Sequence, residues 1–165
     1  MASATTNVKH LPAGSGRAYA LMGSTVTFKD EPDDNDGALL AFEHRCPPGL
    51  GVGPHAERNH EAFYVLEGTL EVEADGEHYR LDAGDFLSIR PGVVHSLHNP
   101  GPDEMRVLTL VAPGSQHVRF FSTLGTPIDG PAKPPQPDEP LDLERVQQVA
   151  RECGMQFLPP EQTQQ

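Results

Sequence analysis

The chain has 165 residues, a formal net charge of -12 at pH 7, and 17 prolines and 16 glycines but no tryptophan. The acidic balance argues against a nucleic-acid-binding surface, which needs clustered basic residues, and against an anionic membrane as partner. The length is typical of one domain, and the composition favours short strands joined by tight turns.

Two further features bear on the compartment. Only two cysteines are present, Cys46 and Cys153, which are too few for a disulfide framework, so we expect reduced thiols. Residues 1–7 place no basic stretch before an apolar run, and no apolar segment of the chain reaches the length of a membrane span. We therefore expect a soluble cytoplasmic protein.

Short strands are predicted along most of the chain. One or two lie within residues 18–29, and others over 38–45, 62–74, 77–81, 86–89, 93–97, 106–112 and 117–121. Asp75-Gly76 is a strong signal for a hairpin between residues 62–74 and 77–81. No helical pattern alternates with these strands, so an all-β sandwich or barrel is predicted.

The C-terminal part has a different pattern. Proline recurs at 127, 131, 134, 135, 137 and 140, which predicts an extended arm over residues 126–140. One helix follows, capped by Asp142, with Leu143, Val146 and Ala150 on one stripe and Gly154 at its end. The predicted organisation is a flexible segment (1–17), a barrel (18–125), the arm (126–140), and a helix and tail packed on the barrel (141–165).

Four side chains are candidates for a metal site. His55, Glu57 and Glu61 have the same parity, so they can converge inside a barrel, and His95 enters from a neighbouring strand. Imidazoles with carboxylates suit a divalent first-row metal, and His55, Glu61 and His95 alone leave coordination positions open, as in non-haem iron oxygen chemistry. Glu57 has two interpretations: a fourth ligand, or a base that takes a proton from the substrate.

Parity also separates other residues from this set. His60 and His98 have the wrong parity to join Glu61 and His95, and Asn99 is expected to secure the following loop. His10, His78 and His117 receive no role. Residues expected to form part of a pocket wall are Phe42, His44, Phe63, Val65, Phe86, Leu97 and Leu108.

Two motifs resemble those of the cupin superfamily. The first runs from Gly49 through His55-Ala56-Glu57 and Glu61 to Gly68, and the second from Gly84 through Gly92 and His95 to Asn99. The resemblance implies a double-stranded β-helix, or jelly-roll barrel, that holds a metal. It also favours ligation by Glu57, because cupins normally place a ligand there, although the family's histidine at that position is replaced.

A narrower resemblance concerns the activity. The runs 61–68, 90–95 and 158–160 are similar to quercetin 2,3-dioxygenase-type bacterial cupins, which cleave a flavonol or a similar enolisable aromatic molecule with oxygen. Their ligand positions match His55, Glu61 and His95, and the position of Glu61 is one where the glutamate can also serve as base. Glu57 has no counterpart there.

The resulting expectation is a dioxygenase-like oxidoreductase with a small-molecule substrate and one divalent transition metal per chain (iron, nickel, manganese, cobalt or zinc). A non-catalytic cupin that binds a small molecule or a metal is an alternative, as is an isomerase, cyclase or lyase on the same barrel. The family resemblance further implies a homodimer.

Overall fold

The computed structural model describes residues 7–130 and 142–159. Within these two ranges, twelve strands form two antiparallel sheets that face each other, together with two helices and a short 3₁₀ turn at Pro32–Asp34. The double-stranded β-helix expected from the sequence is confirmed. Among the described helices, none is long and apolar enough to cross a membrane.

The larger sheet has seven strands in the order β11-β1-β2-β3-β10-β5-β8. Their bounds are β1 Ala18–Leu21, β2 Ser24–Asp30, β3 Leu40–Cys46, β5 His60–Glu67, β8 Phe86–Ile89, β10 Met105–Ala112 and β11 Thr126–Ile128. The smaller sheet has five strands in the order β12-β4-β9-β6-β7. Their bounds are β4 Gly51–Glu57, β6 Thr69–Ala74, β7 Glu77–Asp82, β9 His95–His98 and β12 Met155–Phe157.

The predicted hairpin at Asp75-Gly76 is confirmed. Ala74 pairs with Glu77 across the turn, and the two turn residues have φ values of 53° and 79°. Both central residues of a type I′ turn need such positive φ values, which this dipeptide tolerates well. The single strand predicted over residues 62–74 is instead divided at Gly68 (φ 75°), so that β5 and β6 lie in different sheets.

The strand predicted over residues 117–121 is wrong, because these residues lie in α1 (Ser115–Leu124). His117 and Phe120 are buried on one side of this helix, and Phe121 and Leu124 pack against neighbouring apolar clusters. Their spacing of three, four and seven residues is the helical one, but a short apolar run does not separate helix from strand unambiguously.

The second helix, α2, spans Leu143–Glu152 and follows the sequence prediction at both ends. The side chain of Asp142 accepts a hydrogen bond from the backbone N–H of Arg145, and Gly154 has a φ of 73° just beyond the helix. Leu143 does not belong to the buried stripe, since it is 63% exposed. The prolines of the predicted arm beyond Gly130 lie outside the described residues, and Thr126–Ile128 forms the edge strand β11.

Buried apolar side chains of the described residues form three clusters. One lies between the two sheets and includes Phe63, Val65, Val72 and Val107. A second joins α1 and α2 to the barrel through Phe120, Val149, Ala150 and Met155, and a third packs Phe28 and Phe42 near α1. Cys46 and Cys153 are both buried free thiols, as expected. The two helices thus pack on each other and on β1, β3 and β12.

Candidate metal centre

The first motif supplies ligands from two strands. On β4, His55 and Glu57 are buried and Ala56 between them is half-buried. The chain then crosses to the larger sheet, where Glu61 on β5 is buried and His60 is exposed. His55, Glu57 and Glu61 therefore reach the interior from facing sheets, and the parity argument that set His60 aside holds.

The second motif places His95 beside the first. His55 and His95 are register partners on β4 and β9, and the centroids of their rings are 4.2 Å apart. The backbone N–H of Gly92, which has a φ of 84°, donates to the carbonyl of Glu57 at 2.7 Å. A residue with a side chain is strained at this φ, so the glycine turn fixes the position from which β9 enters. His98 is exposed.

Asn99 has the structural role expected of it. It is 1% exposed, and its side-chain amide donates to the carbonyls of Cys46 and Asp103 at 2.8 and 2.9 Å. Its side-chain oxygen accepts from the N–H of Gly101 at 2.8 Å. These bonds tie the end of β9 to the end of β3, which stabilises the strand that carries His95.

The ligand atoms of His55, Glu61 and His95 all lie within 4.8 Å of one another. Nε2 of His95 is 2.8 Å from Oε2 of Glu61. Nδ1 of His55 and of His95 lies 2.9 and 3.0 Å from the carbonyls of Gly53 and Val93. A proton on Nδ1 satisfies each carbonyl, which leaves the Nε2 lone pair of each ring for the interior, as in metal-binding histidines.

A second triad shares Glu61 with the first. Glu57, Glu61 and His117 also bring their ligand atoms within 4.8 Å of one another. Nε2 of His117 is 2.8 Å from Oε2 of Glu57 and 3.5 Å from Oε1 of Glu61. Glu57 is therefore grouped with His117 rather than with His55 and His95.

Sequence reasoning missed His117 altogether. It lies outside both motifs, on α1, and is 5% exposed. The only local signal for it is the helical spacing of His117, Phe120, Phe121 and Leu124, which would have placed His117 on the buried side of a helix. That spacing does not indicate that the helix reaches the ligands.

The close packing of ionisable groups shifts their pKa values. Burial, and then the neighbouring His95, lower the pKa of His55 to about 4. Burial also raises the pKa of Glu57 to about 7, although His117 opposes the shift. Burial alone would raise the pKa of Glu61, but the imidazoles of His117 and His95 in close contact with it hold that pKa well below its usual range.

The two remaining histidines respond to these carboxylates. Burial would lower the pKa of His117, but Glu57 and Glu61 outweigh it and raise that pKa to about 9. The pKa of His95 is raised for the same reason, mainly by Glu61. The imidazoles of His95 and His117 thus compensate the two buried carboxylates.

The donor set fits a metal ion. Oε2 of Glu61 and Nε2 of His95 are both buried and lie 2.8 Å apart, but neither makes an aligned hydrogen bond within the described structure. Buried polar atoms are normally satisfied, so such atoms require an explanation. Ligands bound about 2.1 Å from one ion lie roughly 3 Å apart when adjacent, which agrees with this contact.

A mostly apolar cavity of about 150 Å³ opens onto the ligands. Four of the predicted wall residues line it, namely Phe42, His44, Phe63 and Leu97, together with His55, Glu57, Glu61 and His117. Burial lowers the pKa of His44 to about 4, so its imidazole is neutral at physiological pH. The wall of the cavity also includes Phe157 of β12, whose ring stacks on His55 with the two ring centroids 5.3 Å apart.

The other three predicted wall residues do not line this cavity. Val65 is completely buried in the core between the sheets. Phe86 is 60% exposed, because it pairs with the outward-facing Tyr64. Leu108 pairs with Glu43, whose side chain belongs to an outer ion-pair group, and therefore lies on the outer face. For Phe86 and Leu108 the prediction of a pocket position is wrong.

Comparison with known proteins agrees with this arrangement. Residues 42–111 match the family model of the cupin domain. A quercetin 2,3-dioxygenase from Bacillus subtilis is 29% identical over 128 residues, which cover 77% of this chain and 37% of that enzyme. An oxalate-binding protein from Thermotoga maritima is 31% identical over 75 residues, covering 45% of this chain and 62% of that protein.

The matched region thus spans less than two thirds of either relative. Among solved structures, an RmlC-like cupin from Shewanella frigidimarina is similar in fold, with a TM-score of 0.53 and 23% identity, over 64% of this chain and 92% of that one. The cupin-domain match over residues 42–111, the curated relatives and the double-stranded β-helix fold agree, and together they support a small protein of the cupin superfamily.

Proposed function

We propose that this protein is a metal-dependent oxidoreductase that acts, in the manner of a dioxygenase, on a small enolisable aromatic molecule. The observation that carries the proposal is the convergence of His55, Glu61 and His95 beside an apolar cavity that the first two residues line. Glu61 and His95 each contribute a buried donor atom that lacks an aligned partner. The similarity to a quercetin 2,3-dioxygenase supports the choice of reaction.

His55, Glu61 and His95 would hold one divalent metal. When bound, such an ion acts as a Lewis acid and leaves coordination positions open for substrate and oxygen. The apolar wall, including Phe42 and Phe63, would bind the aromatic body and exclude water from it. Phe157, stacked on His55, would fix the orientation of that ligand.

Glu57 is the group that we assign to proton transfer. It lies beside Glu61 in the cavity wall but is grouped with His117, away from the other two histidines. A carboxylate in this position can accept the hydroxyl proton of a substrate whose oxygen approaches the metal. Glu57 then serves as the base and Glu61 as a ligand.

Elemental analysis of purified protein is the first test. We expect one equivalent of iron, nickel, manganese, cobalt or zinc per chain, which His55→Ala should abolish and His98→Ala, a change at an exposed histidine, should leave intact. Oxygen consumption with 3-hydroxyflavone-type substrates is the second test. Absence of metal after repletion would refute the metal centre, and a metal-loaded protein that consumes no oxygen with such substrates would refute the dioxygenase.

A binding protein without turnover is the second candidate, and the similarity to an oxalate-binding protein favours it. Titration calorimetry of the metal-loaded protein with oxalate and with 3-hydroxyflavone would separate the two. Binding of either compound at micromolar concentration with no product over hours would support the binding protein. Product formation would favour the enzyme.

The homodimer remains a proposal as well. Tyr64 and Phe86 are register partners on the outer face of the larger sheet, where they are 43% and 60% exposed. Exposed aromatic pairs of this kind are enriched at protein interfaces. Light scattering at micromolar concentration measures the assembly, and a monomer would exclude the dimer.

A further inference from the structure

The first turn of α1 brings His117 into the metal centre from outside both motifs. Gly114, immediately before the helix, packs so closely on Leu40 that an added Cβ would lie 2.3 Å from the Leu40 side chain. The start of the helix is thereby fixed against β3. Three residues later, His117 is 5% exposed and 2.8 Å from Glu57.

The ring of His117 is oriented differently from the rings of His55 and His95. Its Nδ1 lies 3.2 Å from the side-chain amide nitrogen of Asn59, which is buried and can donate to it. A ring that accepts at Nδ1 carries its proton on Nε2, and a charged ring carries a proton there as well. In both states Nε2 offers an N–H edge to the carboxylates rather than a lone pair to a metal.

The distances from Nε2 of His117 to the neighbouring carboxylates identify the partner of this N–H group. It lies 2.8 Å from Oε2 of Glu57 and 3.5 Å from Oε1 of Glu61, so Glu57 is its main partner. Oε2 of Glu61 faces the other way, 2.8 Å from His95. The shortest imidazole contact of Glu61 is therefore with a histidine of the barrel, whereas that of Glu57 is with the histidine of the helix.

We propose that His117 is a positioning residue that holds Glu57 away from the metal, so that Glu57 stays free for the substrate. The inference rests on the proposed function, since it concerns the metal held by His55, Glu61 and His95. It resolves the two interpretations of Glu57 in favour of the base. The contact with His117 also gives a neighbour to a carboxylate that is otherwise buried without an aligned partner.

The test uses Co²⁺ as a spectroscopic probe in metal-free protein, because its visible absorption reports the number and type of ligands. Glu57→Gln is expected to leave the Co²⁺ spectrum unchanged and the Co²⁺ affinity within about twofold. His117→Ala should release Glu57 onto the ion and change the spectrum. The double variant His117→Ala/Glu57→Gln should return to the wild-type spectrum.

Two further variants separate positioning from a general structural effect. His117→Gln keeps an N–H near the position of Nε2 and should preserve the wild-type spectrum, as should His98→Ala at an exposed histidine. With an active substrate, Glu57→Gln and His117→Ala should each lower kcat by roughly 100-fold or more, a typical loss for a general base, with little change in KM. Their effects should not add in the double variant.

The result that overturns the inference is also spectroscopic. A changed spectrum in Glu57→Gln alone would make Glu57 a ligand, and an unchanged spectrum in a folded His117→Ala variant would mean that His117 does not hold Glu57. If His117→Ala does not fold, the spectrum of Asn59→Ala is measured instead, and no change there counts equally against the inference. Failure of the wild-type protein to bind Co²⁺ would refute the proposed metal centre itself, which is a different outcome.

Discussion

Replacement of Asn99 by alanine should destabilise the protein strongly, although the residue is remote from the substrate cavity. Asn99 is 1% exposed and makes three hydrogen bonds, to the carbonyls of Cys46 and Asp103 and from the N–H of Gly101. The bond to Cys46 is buried and the bonds involving Asp103 and Gly101 are partly buried, so losing the first costs about 1–3 kcal/mol and losing each of the others about 0.5–1.5 kcal/mol. We therefore expect a loss of about 3 kcal/mol.

For a chain of this size, 1 kcal/mol corresponds to a change of about 2–4 °C in Tm, so Asn99→Ala should lower Tm by roughly 6–12 °C in thermal denaturation followed by circular dichroism. Asn35→Ala is the matched control, since Asn35 also makes three hydrogen bonds but lies in a surface turn where water can replace them. An equal fall in Tm for the two variants would refute the argument from burial.

Three other predictions concern stability. Asp142→Ala removes the side-chain cap of α2 and should cost about 1 kcal/mol in urea denaturation; no change would mean that the cap contributes nothing. Gly76→Ala forces a side chain onto a φ of 79° in the β6–β7 hairpin and should cost about 1 kcal/mol, whereas Gly53→Ala, where space is open and φ is not positive, should cost less. Burial lowers the pKa of His44 from 6.5 to about 4, so the unfolded chain binds a proton first as the pH falls through 6.5. Metal-free wild-type protein should thus lose about 2 kcal/mol more than His44→Gln between pH 7 and pH 5, and parallel pH profiles would contradict this.

The motif ligands could be predicted because strand geometry leaves few choices. Side chains two residues apart share a face, so His55 and Glu57 had to point the same way, and His60 had to point away once Glu61 pointed inward. Glycine turns and the Asp75-Gly76 hairpin are similarly local, since they depend on backbone conformations that few residues adopt. These features need no knowledge of the rest of the fold.

The wrong predictions of pocket positions concern residues whose face of the sheet depends on the register of strand pairing. Leu108 and Phe86 are apolar strand residues, but their faces follow from partners on other strands, Glu43 and Tyr64. A shift of one residue in pairing exchanges the two faces of a strand, and the sequence of one strand alone does not specify that pairing. Apolar character therefore predicted burial for residues that lie on the outer surface.

Local sequence patterns also could not predict the contacts that elements distant in the chain make with the site. Phe157 reaches His55 because the three-residue strand β12 pairs with β4, about a hundred residues earlier in the chain. Such a short strand has no recognisable periodicity. His117 presents the same difficulty in stronger form, because both its helix and the direction of that helix had to be known before its contact with Glu57 could be inferred.

The glutamate at position 57 and the histidine at position 117 are best understood as one feature. A carboxylate introduced beside Glu61 in a buried pocket is unfavourable unless a positive charge or a hydrogen-bond donor compensates it, and Nε2 of His117 lies 2.8 Å from Glu57. In a barrel with histidine at position 57, the same helical histidine would face an imidazole and lose that partner. We therefore expect the two residues to occur together among related sequences, and an alignment in which glutamate at 57 appears with any residue at 117 would contradict this coupling.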